Sequence, residues 1–190
     1  MQAMADIEEL RKRLEKAAEI GEMLDRRLWA LGVITEALAP HGVTPILVGG
    51  CAVEFYTGGG YATRDVDIAL PGIPAFATIM SDLGFSREGR HWFREDLSLA
   101  IEAPAEQLHG DLNRVTQVRV GDGLVQVIGI EDLIIDRLNA AVHWRSGEDR
   151  RWAVRLIAAY RDEMDLDYLR RRAFEEETVE ALDEILGETS

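Results

Sequence analysis

Two aspartates, Asp65 and Asp67, stand one residue apart in the segment RDVDIAL at positions 64–70. The segment is typical of a strand. Because side chains alternate faces along a strand, both carboxylates project from one side while Val66 and Ile68 point into the core. Two carboxylates held this close repel each other, and a divalent cation relieves the repulsion. Mg²⁺ takes one or two carboxylates and completes its shell with water and substrate phosphates, so the pair predicts a Mg²⁺ site.

A glycine pair, Gly49-Gly50, lies upstream of the aspartates, directly after the apolar run at 46–48. The run is typical of a buried strand, and the amphipathic segment at 51–56 predicts a short helix with Glu54 on its outward face. The glycines would then lie at the helix N-terminus, where free backbone N–H groups and the positive end of the helix dipole meet. Since glycine has no Cβ, a phosphate could approach closely.

The order of these features resembles a known superfamily. The segment GGCAVEFYTGGGYATRDVDIAL, residues 49–70, is similar to the polymerase-beta-type nucleotidyltransferases. It looks closer to small prokaryotic members of that superfamily, which include abortive-infection toxins. The resemblance implies that Gly49 and Gly50 hold the phosphates of an NTP, that the two aspartates bind Mg²⁺, and that a third carboxylate lies on a later strand. It covers roughly residues 44–172, and its specific motifs lie in the first third of that span.

Glu102 is the candidate for the third carboxylate. Residues 97–101 predict a strand with apolar side chains at alternate positions on its core face, which leaves Glu102 on the opposite face. This strand is expected to pair antiparallel with one that begins at His91. Asp96 has the same parity as Glu102 and is the reserve candidate.

The resemblance implies that Asp65, Asp67 and Glu102 form the catalytic metal site. Together they would bind two Mg²⁺ ions on either side of a nucleotide phosphate. One ion would lower the pKa of an attacking hydroxyl, and the other would neutralise the pyrophosphate leaving group.

Two arginines are candidates for contacts with the nucleotide. Arg64, in the glycine-rich loop, either holds a phosphate, pairs with Glu54 or has no partner. In the toxin-like relatives a Lys-Leu pair lies in the helix after the sheet, and Arg137-Leu138 takes that place here. Arginine keeps the positive charge of lysine but does not readily deprotonate. Arg137 is therefore kept as a candidate for contact with the nucleotide, and its role in phosphate binding or proton transfer stays open.

Composition describes a globular protein of 190 residues, with 47% hydrophobic and 29% charged residues. No apolar run approaches the roughly 18 residues of a membrane span. A single cysteine, Cys51, excludes a disulfide framework, and the N-terminus lacks the pattern of a signal peptide, so a cytoplasmic location is expected. The net charge of −14 argues against a broad nucleic-acid-binding surface.

The expected fold is α+β: a nucleotidyltransferase-like mixed β-sheet core, flanked by helices. We predict an N-terminal helical segment at 1–42, in which Gly21 and Gly32 are candidate breaks, then the core at 43–129 and a helical region at 130–190 packed on it. Within the core, Gly121-Asp122-Gly123 predicts a hairpin. The charged terminal helices are candidate surfaces for a homodimer or for a cognate partner.

Two functions are therefore in view. The first is transfer of NMP from an NTP to a hydroxyl on RNA, on a protein or on a small molecule, in a toxin-like or antibiotic-modifying role. The second is a catalytically degenerate fold that serves as a nucleotide-binding or partner-binding module.

Overall fold

The computed structural model describes residues 6–105 and 107–189. Its chain divides into two compact units. The sheet unit contains the residues up to Leu108 together with Val115–Val127, and the helical unit contains His109–Arg114 together with the residues from Ile128 onward.

The sheet unit alternates helices and strands in the order expected of an α+β protein. Its elements are α1 (Ile7–Glu15), α2 (Met23–Leu38), β1 (Ile46–Val48), α3 (Gly49–Tyr56), β2 (Val66–Ala69), α4 (Phe76–Asp82), β3 (Ser86–Glu88), β4 (His91–Arg94), β5 (Leu99–Ala105), β6 (Thr116–Val120) and β7 (Gly123–Val127). Within the described residues the strands form one sheet, in the order β3-β4-β5-β2-β1-β7-β6. The sheet is mixed, because β1 runs antiparallel to β2 and parallel to β7, while β2 runs parallel to β5. The predicted fold class is confirmed.

From residue 6 onward, the N-terminal helical pattern is broken between α1 and α2. A short 3-10 helix, Lys16–Glu19, precedes the break, and Gly21 lies in the break itself. Gly32 does not interrupt α2. A Cβ on Gly32 would lie 3.5 Å from the Cα of Gly123, so this glycine lets the helix approach the first residue of β7 closely.

Strand register gives the sheet two different faces. On one face Leu47, Ile68, Ile101, Trp92 and Val127 are all buried, and they come from five neighbouring strands. These residues form the layer of the hydrophobic core that the sheet contributes. The opposite face carries Asp67 of β2, His91 of β4 and Glu102 of β5, whose side chains could do chemistry.

The strand that carries Glu102 begins at Leu99, two residues later than predicted. Residues Glu95–Leu97 form a 3-10 turn instead, and Ser98 follows it with a left-handed φ of 53°. The turn reverses the chain between β4 and β5. From Leu99 onward the predicted alternation holds, because Leu99 and Ile101 are buried on the core face.

The helical unit contains four long helices in its described part. They are α5 (Ile130–His143), α6 (Gly147–Tyr160), α7 (Leu166–Glu175) and α8 (Val179–Glu188). A buried carboxylate, Asp132, is satisfied inside this unit: the Tyr168 hydroxyl donates to it over 2.8 Å and the Asp111 backbone N–H over 2.9 Å. None of the described helices is both long and apolar enough to cross a bilayer.

Candidate active site

The carboxylates of β2 and β5 share the polar face of the sheet. Asp67 is the register partner of Glu102 on one side and of Val48 on the other. Register partners have their side chains on the same face and close together. Asp65 lies two residues before Asp67, immediately ahead of the strand. The predicted juxtaposition of β2 with the strand of Glu102 is thus present in the backbone pairing.

Glu102 is buried, and each of its carboxylate oxygens has a side-chain nitrogen of a neighbouring residue close by. Its side chain is only 7% exposed. Arg90 Nε lies 2.9 Å from Oε1, and His91 Nε2 lies 2.9 Å from Oε2. A buried carboxylate needs such partners, because burial removes the hydration of its charge.

His91 also faces Asp65. Its Nε2 lies 3.9 Å from Asp65 Oδ2, and Asp65, His91 and Glu102 each offer one ligand atom within 4.8 Å of the others. Two carboxylates and an imidazole are a donor set that suits a divalent cation. Sequence reasoning did not select His91. The antiparallel pairing of β4 with β5 was the available signal, because it sets His91 directly opposite Glu102.

Of the glycine pair at the start of α3, Gly49 is the one with a left-handed backbone conformation. Its φ is +61°, a region that L residues rarely adopt, and a Cβ placed on it would collide with the Asp67 carboxylate. Gly50 has no positive φ, but a Cβ there would lie 2.9 Å from the Tyr61 ring. Both glycines therefore bring neighbouring groups close to the N-terminus of α3, where backbone N–H groups have no partner within the helix.

A buried ion pair supports this helix, and it corrects one prediction. Glu54 does not face outward: it is 8% exposed, and its carboxylate accepts a 2.6 Å hydrogen bond from the buried Arg27. The same guanidinium donates to the Thr63 carbonyl over 2.6 Å. Arg27 thus joins α2 to α3 and to the loop that leads to Asp65. A buried counter-charge on α2 is what allows Glu54 to point inward.

Cys51, in the first turn of α3, is a packing residue. It is fully buried. Burial raises the pKa of its thiol to about 12, although the positive charge of Arg27 opposes the shift. The thiol therefore stays protonated near neutral pH and is a poor nucleophile.

Asp96, the reserve candidate for the third carboxylate, lies outside the strand and serves another partner. Both of its oxygens accept hydrogen bonds from Arg94, over 2.8 and 2.7 Å. Arg94 is buried and also donates to the Leu83 carbonyl over 2.6 Å. These hydrogen bonds lower the pKa of Asp96 below its ordinary value. Its place in the structure is that of a counter-ion to Arg94.

The two candidate arginines lie in different units. Arg64, in the sheet unit, is exposed, and Glu54, one of the partners considered for it, is paired with Arg27 instead. Arg137 lies on α5 in the helical unit, where it contacts Asp136 and lies 2.7 Å from Asp149 Oδ1. Contact of either arginine with a nucleotide stays a prediction.

Comparison with known proteins bears on the fold. No protein-family model matches the sequence, and no curated protein matches it. Among solved structures, an antigenic nucleotidyltransferase-like protein from Paracoccidioides brasiliensis superposes with a TM-score of 0.57 at 13% identity, over 86% of this chain and 93% of that one. The fold is nucleotidyltransferase-like.

A second solved structure is also similar. It is the antibiotic-resistance factor ANT(2'')-Ia, with a TM-score of 0.49 at 16% identity, over 80% of this chain and 91% of that one. The closer resemblance to abortive-infection toxins stays a prediction. At such low identities a shared fold leaves the chemistry to be argued from the site itself.

Proposed function

We propose that the protein is a Mg²⁺-dependent nucleotidyltransferase that moves NMP from an NTP to an acceptor hydroxyl. One observation carries the proposal: carboxylates on adjacent strands meet the start of a glycine-initiated helix. The Asp67 carboxylate lies against Gly49, the first residue of α3, and Asp67 is the register partner of Glu102. Carboxylates beside a helix N-terminus are the combination that a metal-bound triphosphate requires.

The proposed reaction is a displacement at phosphorus. The acceptor oxygen forms a bond to the α-phosphorus of the NTP. The bond from that phosphorus to the oxygen bridging the α- and β-phosphates breaks, and pyrophosphate leaves with the bonding electrons. The proton of the acceptor hydroxyl is released to water. Bound Mg²⁺ would supply charge neutralisation on the phosphates and a lower pKa for the attacking hydroxyl.

Each candidate residue of the site has a proposed role in this reaction. Asp65, Asp67 and Glu102 would hold the ions, and the backbone N–H groups that begin α3 would bind the triphosphate. Arg64 and Arg137 are the proposed cationic contacts for the nucleotide. Of the three carboxylates Glu102 is the most enclosed, with 7% of its side chain exposed against 40% for Asp65.

Isothermal titration with NTPs, with and without Mg²⁺, tests the proposal. We expect binding that depends on the metal, is lost in Asp65→Ala and is kept in Asp122→Ala. Asp122 is a matched control because it is an exposed aspartate in the turn between β6 and β7. Pyrophosphate release in the presence of candidate acceptors then measures transfer. NTP binding of equal strength without divalent ions, or in Asp65→Ala, would contradict the metal-dependent mechanism.

A second candidate function is a non-catalytic nucleotide-binding or partner-binding module. The arrangement around Glu102 favours it, because the Arg90 guanidinium and the His91 imidazole already lie 2.9 Å from its two carboxylate oxygens. Such a site would not need an ion to offset the charge of Glu102. NTP binding without metal, combined with no pyrophosphate release from any acceptor, would support the module over the enzyme.

The net charge of −14 bears on the acceptor. A strongly acidic protein repels polyanions, so we favour a hydroxyl on a protein side chain or a small molecule over one on RNA. A toxin-like role, which the resemblance implies, would appear as growth arrest on expression of the wild type but not of Asp67→Asn. Growth arrest by both proteins would separate toxicity from nucleotidyl transfer.

A further inference from the structure

We propose that His91 is a direct metal ligand, together with Asp65 and Glu102, and that it shifts the preference of the site from Mg²⁺ toward transition ions such as Co²⁺ or Zn²⁺. The proposal rests on the proposed function in one respect, namely that a divalent ion binds on this face of the sheet. It goes further by adding a nitrogen ligand to an all-carboxylate set and by naming the class of ion that results.

The position of His91 is set by backbone pairing. β4 and β5 form an antiparallel pair in which His91 is the register partner of Glu102. Its imidazole is 28% exposed and lies 5.8 Å from the ring of Phe93, two residues along the same face of the strand. A side chain on a paired strand, packed beside a neighbouring ring, is held more precisely than one on a loop.

The orientation of the ring puts one nitrogen toward both carboxylates. The same Nε2 lies 2.9 Å from Glu102 Oε2 and 3.9 Å from Asp65 Oδ2. The carboxylate of Glu102 on β5 and that of Asp65, just before β2, thus converge on a single imidazole nitrogen, and the three ligand atoms lie within 4.8 Å of one another. A histidine that only neutralised Glu102 would not need Asp65 beside the same nitrogen.

Arg90 holds the remaining oxygen of Glu102. Its Nε lies 2.9 Å from Oε1, and its side chain is 74% exposed, so it supports the carboxylate from the solvent side. Partners that hold a ligating carboxylate from outside the metal shell orient it and tune its affinity for the ion. Arg90 is therefore a positioning residue, while Oε2 is the oxygen that faces His91.

Ligand chemistry then sets the ion. Mg²⁺ demands oxygen ligands and gives up its water reluctantly, whereas imidazole nitrogen suits zinc and the other later first-row ions. One nitrogen and two carboxylate oxygens should thus bind Co²⁺ more tightly than Mg²⁺, in line with the general order of affinities for such sites.

Titration of tag-free, metal-free protein with Mg²⁺ and with Co²⁺ tests the inference. We expect tighter binding of Co²⁺ than of Mg²⁺ in the wild type. His91→Asn should weaken Co²⁺ binding by at least the roughly tenfold loss that even changes outside the metal shell produce. The affinity of His91→Asn for Mg²⁺ should differ much less from that of the wild type. His41→Asn is the matched control, since His41 is exposed in a short 3-10 helix of the same unit and should leave both affinities unchanged.

Proton NMR of the Co²⁺ protein adds a readout that a structural role would not move. A ligating imidazole shows a paramagnetically shifted, exchangeable N–H signal, which should be present in the wild type and in His41→Asn and absent in His91→Asn. The wild-type spectrum alone decides the question if His91→Asn does not fold. No shifted imidazole signal in wild-type protein with Co²⁺ bound would overturn the proposal.

The outcomes distinguish this proposal from the proposed function. Metal-dependent NTP binding together with unchanged Co²⁺ affinity in His91→Asn would leave the nucleotidyltransferase standing and refute a role of His91 as ligand. A shifted imidazole signal in a protein that neither binds NTP nor releases pyrophosphate would support the metal site and refute the enzyme.

Discussion

Gly49→Ala is the substitution for which the structure predicts the most specific cost. Gly49 has a φ of +61°, and a Cβ there would collide with the Asp67 carboxylate. An alanine in the left-handed region costs about 1–2 kcal/mol. The substitution also reduces the conformational entropy of the unfolded chain, which offsets about 0.4–1 kcal/mol of that cost. Forcing a methyl group into an occupied space costs a further 1–3 kcal/mol or so. Gly49→Ala should therefore lower the free energy of unfolding by about 1–4.5 kcal/mol.

Gly58→Ala is the matched control for this experiment. Gly58 has nearly the same φ, +58°, but nothing lies within 4 Å of the position a Cβ would take. Its substitution should cost only the backbone term, about 1 kcal/mol or less. Urea unfolding measures both variants, and with a slope of about 1–3 kcal/mol per molar the midpoint of Gly49→Ala should lie about 1 M below that of Gly58→Ala.

A double-mutant cycle assigns the extra cost to a particular contact. In an Asp67→Ala background the carboxylate is gone, so Gly49→Ala should cost little more than Gly58→Ala. Coupling between contacting residues of about 0.5–3 kcal/mol is the expected range for such a cycle. Equal costs for Gly49→Ala and Gly58→Ala in the wild-type background, or no coupling to Asp67, would refute the close packing of the aspartate on the start of α3.

Two further predictions concern ion pairs of the sheet unit. Glu54→Ala should cost about 3–5 kcal/mol because it leaves the charge of Arg27 buried, whereas Arg27→Met combined with Glu54→Leu should recover much of that loss in urea unfolding. A double variant less stable than Glu54→Ala would contradict this. Asp96→Asn should cost about 1 kcal/mol or less, since its carboxylate is 60% exposed. The hydrogen bonds from Arg94 lower the pKa of Asp96 below its ordinary value of 3.8. The stabilisation by the Arg94–Asp96 pair is therefore full above pH 3.8 and disappears as the pH falls through the pKa of Asp96 in the folded protein. A cost of Asp96→Asn that did not change with pH would refute this prediction.

Much of the fold follows from local patterns along the chain. The apolar run before the glycines, the period of two in the strands and the Gly121-Asp122-Gly123 turn each predict an element that is present. Gly49 takes the positive φ that ends β1 and begins α3, a conformation that the residue type itself permits at little cost. Patterns of this kind involve a few adjacent residues, so they can be recognised without knowing which strands pair.

The corrected and missed features depend on residues far apart in sequence. Glu54 was predicted to face solvent because acidic residues usually do, but Arg27, 27 positions upstream, supplies a buried counter-charge. The turn at Glu95–Leu97 interrupts an alternating pattern because the chain must reverse there. Neither the counter-charge nor the reversal is visible in the local sequence.

The sequence by itself determined the spacing of Asp65 and Asp67, the glycines before them and the α+β order of elements, because each is a property of short segments. Only the tertiary structure decided that His91 stands opposite Glu102 and faces Asp65, with Nε2 2.9 Å and 3.9 Å from their oxygens. Which residues meet across a sheet depends on strand order and register, and a shift of one residue would turn His91 to the other face. The composition of the candidate metal site is therefore a consequence of the register between β4, β5 and β2.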